Sequence, residues 1–567
     1  MFRSLPPNTE TLMQWGWKDF QDYYQELNNR SLNAGSLVEW IIDWSRLSEC
    51  LDELYNRLYV ATTQNTANAA AENRLHTFLD QVFPPAMAAE QALKEKLLAS
   101  RLEPDGFAIP LRNMRTEAAL FRQANLPLLA EEQKMAGEYD KIIGAQTLPW
   151  EGKEVTISQL RPVYFDPDRA RRERAWRLSA ARQLADRGAI NALWQKFMAL
   201  RQRVAANAGL PDYRSYRWQQ MLRFDYTPAD CRQFQDAIQK VVVPAAMRIY
   251  ERRRKHLGLD MLRPWDLDVN PLSLPPLAPF KDVAELKSKT SSIFHHVDPQ
   301  LGANFDLMLK EELLDLENRK NKAPGAYCTQ LATLHRPFIF ENAVGLHDDV
   351  QTLLHESGHA FHVFESAALP YYQQHTVGME FAEVASMSME LLASPYLTSA
   401  YGGFYTEKEA ARARVEHLEN NILFWPYMAI VDAFQHWVYE NPTKASDPAQ
   451  CDACWMDLWQ RFRPGVDWRG FEDVVATGWH RKLHIHTQPF YYVEYGLAQL
   501  GAVQVWGNAL KDQAKSVANY RKALALGGTV PLPKLFETAG ARFSFDAGTL
   551  QAAVDLMDSV IGQLEAI

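Results

Sequence analysis

The chain is short of cysteine, of net positive charge and of long apolar runs, and each shortage excludes something. Five cysteines in 567 residues (Cys50, Cys231, Cys328, Cys451, Cys454) are too few for a disulfide framework and suit a reducing compartment. Only Cys451 and Cys454 lie close together, as one isolated CxxC, which reads as two free thiols rather than a zinc or redox site. Asp and Glu outnumber Lys and Arg by 69 to 60, giving a formal net charge of -9 and a pI near 6.0, so no general attraction to nucleic acid or anionic membrane is expected. The basic runs at residues 252–255 and from Arg169 onward have acids interspersed and read as solvated helix faces. The longest apolar run, ILFWPYMAIV from Ile422, stops at Asp432, well short of the ~20 residues of a membrane span. No apolar segment follows the N-terminal MFRSLPPNTE as a secretion signal requires, so a cytoplasmic protein is expected.

What is present is helix. From residue 8 to about 260, apolar residues recur at three and four, β-branched runs are short, and Pro84 and Pro85 split one helical stretch in two. Five prolines between residues 262 and 280 forbid regular helix there, and Asp282 is placed to cap the helix that follows. After Gly325 the texture changes, and TLHRPFIFENAVGL reads as a strand and a turn. Helices then resume to the C-terminus. With 47 % apolar residues the chain is long enough to bury more than one core.

The chemistry concentrates in LHESGHAFHVFES. Asp348 and Gln351 have capping-box spacing, which predicts a helix from about residue 349 with Pro370 as its far limit. Val350, Leu354, Ser357, Phe361, Phe364 and Ala368 then form the packed stripe, with His355, His359 and His362 on another side. His355 and His359, four apart, put two imidazoles within reach of one cation, which with Glu356 makes the HExxH pattern. His362 is a further ring ~10 Å along the axis from His355 and is expected to pack beside the pair rather than join it. A hydrolytic zinc takes three protein ligands and leaves one position to water. Glu383, in the apolar helix MEFAEVASMSMELLASPYL, fits the third place, because a carboxylate among Phe381, Val384 and Met387 is costly unless it meets a cation. Glu380 is its competitor, and Glu390 is positioned to hydrogen-bond a ligand histidine.

Taken together, LDLENRKNKAPGAYC, PFIFENAVGLHDDVQTLLHESGHAFH, MEFAEVASMSMEL and HIHTQPFYYVEYGLA resemble the thimet oligopeptidase and oligoendopeptidase F family of zinc metallopeptidases, with most likeness to its shorter bacterial branch, which includes Pz-peptidase. The resemblance implies a mainly α, multi-helix, two-lobed zincin of the neurolysin-like type, with a deep cleft and a small β-sheet beside the HExxH helix. It implies one Zn2+ per chain on His355, His359 and Glu383, Glu356 as general base, and His486 with Tyr491 and Tyr495 stabilising the transition state. Tyr492, three residues from Tyr495, is an alternative partner in that pair; His480 and His484 share the same loop. A helical lobe over residues 1–195 and a catalytic domain over 196–567 are expected. The implied activity is zinc-dependent hydrolysis of internal bonds in short peptides by an activated water, with RPFIFENA pairing edge-on with the extended substrate. A zinc exopeptidase is the alternative within that chemistry, and a helical binding protein with a structural metal the alternative outside it. No oligomeric state is implied.

Overall fold

The computed structural model describes every residue except 1, 3, 4, 6, 7, 273, 320 and 324. Most of the chain is helix, packed around two main buried cores, with two small apolar clusters, about Trp150 and about Tyr250, beside them. A smaller core draws on Leu12, Trp40, Trp44, Leu97, Phe107 and Met114 together with Tyr371. The larger one runs from Leu120 to Leu564 and takes in both sides of the functional site. No helix among the described residues is long and apolar enough to cross a membrane. The cysteines are all free thiols.

The helices that frame the site are Leu37–Gln64 (α1), Arg187–Asn207 (α2) and Tyr213–Gln220 (α3) from the first half of the chain. Three strands follow, Leu314–Glu317 (β1), Tyr327–Leu331 (β2) and Arg336–Ala343 (β3). The second half supplies His347–Ser366 (α4), Met379–Ala393 (α5), Glu407–Glu440 (α6), the short Leu483–Thr487 (α7) and Tyr492–Ala509 (α8). The helix break at the paired prolines is where the periodicity puts it, with Gln81 ending one helix and Phe83 starting the next. Asp282 caps Val283–Val297 by accepting the Glu285 N–H.

The strand order is β1-β3-β2, so β3 is central, parallel to β1 and antiparallel to β2. This corrects the expectation that RPFIFENA offers a free edge: both of its edges are taken, and β2 is the edge strand beside α4. A hairpin, Thr147–Trp150 with Lys153–Thr156, is also absent from the sequence reading. Its turn residues Glu151 and Gly152 both have positive φ, 49° and 81°. That is the backbone of a two-residue hairpin turn, but Glu in the first place hides it from a search for Asn-Gly or Asp-Gly.

Helix α4 starts two residues earlier than expected, and its cap is a different acid. The Asp349 carboxylate accepts the N–H groups of Val344, Gly345 and Leu346, each at 2.8 Å, folding the turn after β3 onto the helix start. Asp348 instead lies exposed, 3.3 Å from Arg161. The packed stripe holds over the first four of its positions, Val350, Leu354, Ser357 and Phe361, which are all fully buried, but Phe364 is only half-buried and Ala368 lies exposed beyond the helix end at Ser366. Ser357 satisfies its hydroxyl on the Leu353 carbonyl at 2.7 Å, which lets it sit in an apolar face.

Gly358 sets how closely α4 and α5 approach. A Cβ there would lie 2.5 Å from both the Ala385 oxygen and the Ser386 Cα. Backbone atoms cannot move aside as a flexible side chain can, so Gly358→Ala should force the helices apart. The expected cost is about 1–3 kcal/mol, read as a lower denaturant midpoint, together with weaker binding of any divalent cation as Glu383 withdraws from the histidines.

Candidate metal centre and active site

Two turns of α4 and one of α5 bring three donors together. His355, His359 and Glu383 each offer one ligand atom within 4.8 Å of the others, and no fourth His, Cys, Asp or Glu joins the group among the described residues. Glu383 Oε2 lies 3.4 Å from His355 Nε2 and 3.7 Å from His359 Nε2. Each ring therefore turns the same nitrogen toward one carboxylate oxygen. Three convergent donors with no fourth fit a catalytic cation rather than a closed structural cage.

The outer contacts fix that orientation. His355 Nδ1 donates to Glu390 Oε1 at 2.6 Å, leaving Nε2 directed at the shared point, as the sequence predicts for Glu390. Glu390 is itself held by His417 at 3.3 Å. Ser386 Oγ donates to Glu383 Oε2 at 2.9 Å. Glu380 faces elsewhere: it accepts from the Tyr226 hydroxyl at 2.7 Å and lies 3.7 Å from Arg223. Glu365 pairs with Arg521 at 2.7 Å. His362 stays outside the triad, buried edge-on against Phe381.

The electrostatics follow from burial. Burial pushes Glu383 up, but the hydrogen bond from His355 and the charge of His359 outweigh it and hold the carboxyl at about 2. Burial opposes a charge on His355 too, yet the carboxylates of Glu383 and Glu390 raise its pKa well above the usual value. His359, with fewer compensating contacts, is pushed down to about 4 by burial. The two rings are thus pushed in opposite directions, His355 toward its charged form by two acid partners and His359 toward its neutral form by burial. Glu356 is buried and raised to about 7, mainly by burial, with Glu383 adding to the rise and His355 opposing it. The backbone N–H of Cys328 on β2 faces the Glu356 carboxyl and opposes the rise. Glu341 on β3, with both carboxyl oxygens unpartnered, is pushed up to about 9 by burial and by the charges of Asp349 and Glu356.

On the opposite wall stand the tyrosines. The Tyr491 hydroxyl donates to Glu383 Oε1 at a long 3.5 Å, and the rings of Tyr491 and Tyr495 meet at 5.2 Å. Tyr492 points the other way, buried against Phe424 and Tyr427 with Lys482 Nζ 3.9 Å over its ring. Of the two pairings open in the sequence, the structure brings Tyr491 and Tyr495 to the metal centre. Pro489 does not sit in the first turn of their helix, because Phe490 adopts φ of 65° and α8 begins only at Tyr492.

His486 is not at the centre, which corrects the sequence assignment. Its side chain is fully buried, stacked on Tyr139 at 4.5 Å and enclosed by Trp194 and Trp479. The ring beside the tyrosines belongs to His484, 5.7 Å from Tyr491 and 5.9 Å from Tyr495. Residues two apart on a helix point ~200° around from each other, so only one of the two can face the cleft. Nothing in the tripeptide HIH says which. His480 is also buried, against Trp479.

A cavity of about 380 Å³ opens beside the centre, lined by His359, His362 and Met379, by Cys328, Thr329 and Gln330 of β2, and by Asn56 of α1. The match to known proteins covers the donor triad, β2 and the tyrosine wall: the model described as peptidase family M3 fits residues 164–555. The chain belongs to peptidase family M3. Among solved structures, this M3 chain is similar to Pz peptidase A with an inhibitor, at 27% identity and a TM-score of 0.86, over 100% of this chain and 99% of that one. It is also similar to a structure named for oligoendopeptidase F, at 27% identity and a TM-score of 0.87, over 100% and 98% of the two chains. An oligoendopeptidase F homolog of Borreliella burgdorferi is 23% identical over 300 residues, a match spanning 52% of this chain and 49% of that relative's length.

Affinity of these three donors for a divalent cation should depend on the proton of His355. Because its pKa is raised, that proton is bound at neutral pH in metal-free protein and must leave when a cation takes Nε2. Affinity measured by chelator competition is therefore expected to rise with pH through the neutral range, by up to about tenfold per unit for one released proton. Glu390→Gln should weaken binding of a divalent cation by about 10–100-fold.

Proposed function

We propose that this M3 chain is a zinc metalloendopeptidase that hydrolyses internal bonds of short, extended peptides. The observation that carries the reading is the convergence of His355, His359 and Glu383 on one point, with Glu356 next to His355 on the same helix, the Tyr491 hydroxyl on Glu383, and a cavity opening at His359. Zinc, held by those three donors when bound, would supply a Lewis acid for the scissile carbonyl and acidify the attacking water.

The remaining work falls to side chains of the chain itself. Glu356, with a pKa near working pH, takes a proton from the attacking water on its carboxylate and passes it to the departing amine. A nearby cation favours its ionised, proton-accepting form. The Tyr491 and Tyr495 hydroxyls stay protonated at neutral pH, since burial and the Glu383 charge raise both, Tyr495 to about 12. They are donors for the negative charge that grows on the carbonyl oxygen. His484, pushed down to about 4 mainly by burial, is neutral and adds a ring N–H to the same wall. Substrate lies along β2, the edge strand that lines the cavity. Pairing with a strand edge reads backbone rather than side chains, so sequence preference should be broad.

Glu356→Gln tests the core of this reading. Zinc content should stay at one per chain while kcat falls about 10²–10⁴-fold; turnover near that of the unaltered enzyme would remove Glu356 from the mechanism. Peptides blocked at both ends should still be cut, and failure on these with success on free-ended peptides would establish an exopeptidase instead. Tyr491→Phe and Tyr495→Phe should each lower kcat about 10–10³-fold with KM little changed.

A further inference from the structure

The segment that delivers Tyr491 to the metal centre, residues 485–490, is held by arginines from a distant part of the chain. Arg201 on α2 is fully buried and donates Nη2 to the His486 carbonyl and Nη1 to the Ile485 carbonyl at 3.5 Å. Arg217 on α3 donates Nε to the Pro489 carbonyl and Nη2 to Gln488 Oε1, both at 3.1 Å. Arg223, just past α3 and also buried, donates Nη2 to the Phe490 carbonyl and to Glu494 Oε1. Four of the six carbonyls from Ile485 to Phe490 thus accept from a guanidinium. The buried cations are themselves balanced, Arg201 by Glu132 at 2.8 Å and Arg223 by Glu494 at 2.7 Å.

The grip has something to restrain. Phe490 sits at φ of 65°, a left-handed conformation that is costly for a bulky aromatic residue. Its N–H is taken by Gln435 Oε1 of α6 at 2.7 Å, its carbonyl by Arg223, and its ring is packed among Trp218, His436 and Tyr439. Released from those contacts, the residue would relax to negative φ and swing Tyr491, its neighbour, off the Glu383 carboxylate. His486 takes part as the anchor: its ring is locked among Tyr139, Trp194 and Trp479 while Arg201 holds its carbonyl.

We propose that Arg201, Arg217 and Arg223 are positioning residues that set Tyr491 by clamping the backbone of residues 485–490 across the strained turn at Phe490. The proposal rests on the reading that Tyr491 and Tyr495 serve turnover. A planar guanidinium reaches two acceptors at once, which a lysine cannot do in the same geometry.

Arg217 is the residue to alter, since it is half-buried, whereas loss of Arg201 empties a fully buried cation site and loss of Arg223 leaves the buried Glu494 unpaired. In zinc-loaded full-length Arg217→Ala, amide hydrogen exchange should quicken in residues 484–495 and stay unchanged elsewhere. Zinc content should remain one per chain, kcat should fall roughly 10- to 100-fold with KM little changed, and Arg217→Lys should recover part of the loss. Unchanged exchange in 484–495 overturns the clamp, and so does faster exchange spread across the whole chain. Tyr491→Phe and Tyr495→Phe serve as separate controls. Full turnover in both would refute the role of the tyrosines, while the exchange measurement still decides whether the arginines hold the segment.

Discussion

A carboxylate buried between two closely packed helices governs this structure. Glu383 stands in a helix that is apolar nearly all round, where an unpaired charge would cost several kcal/mol. The molecule meets that cost by making α4 approach so closely at Gly358 that two imidazoles from one helical face reach the same oxygen. In the metal-free protein a proton on His355 balances the charge, and a divalent cation satisfies all three donors at once. The affinity of the site and the packing of the core are therefore one property, because the helix contact that excludes water also sets the donor distances.

Around that charge the surroundings sort acids by environment. Glu383 and Glu356 both belong to the centre, yet one is held at about 2 and the other raised to about 7. The difference is the direct hydrogen bond from His355, which Glu356 lacks. A strong acid suits a ligand and a weak one a proton carrier, the roles proposed for them, and residue type alone does not separate the two. The opposing wall works differently, since its tyrosines carry no charge and their value lies in position alone. That position depends on a bend the backbone resists, held by guanidinium groups from residues some 270 positions earlier. The two halves of the chain thus meet at the site in separate roles, the later half supplying chemistry and the earlier half holding it in register.

The local features of the site were legible because they follow from helical spacing. His355 and His359 share a face whatever surrounds them, Glu390 lies two turns beyond Glu383 on one side, and Ser357 faces inward. Where the reading went astray, the deciding contact was not local. Asp349 rather than Asp348 caps α4 because the turn after β3 folds back and presents three N–H groups to it. RPFIFENA is strand as expected but central, since β1 and β2 enclose it. The hairpin at residues 147–156 escaped because four-residue strands leave little pattern and Glu-Gly is an uncommon turn.

By itself the sequence determined which donors could meet and the mainly helical texture, because a four-residue spacing and an apolar helix around one acid act over a turn or two of backbone, while the family frame was implied by resemblance. Only the tertiary structure decided that His484 and not His486 meets the cleft, that Tyr491 and not Tyr492 turns toward Glu383, and that β2 offers the open edge. Each of those is a choice between two faces of one element, and a face is chosen by what packs against it from far away in the chain.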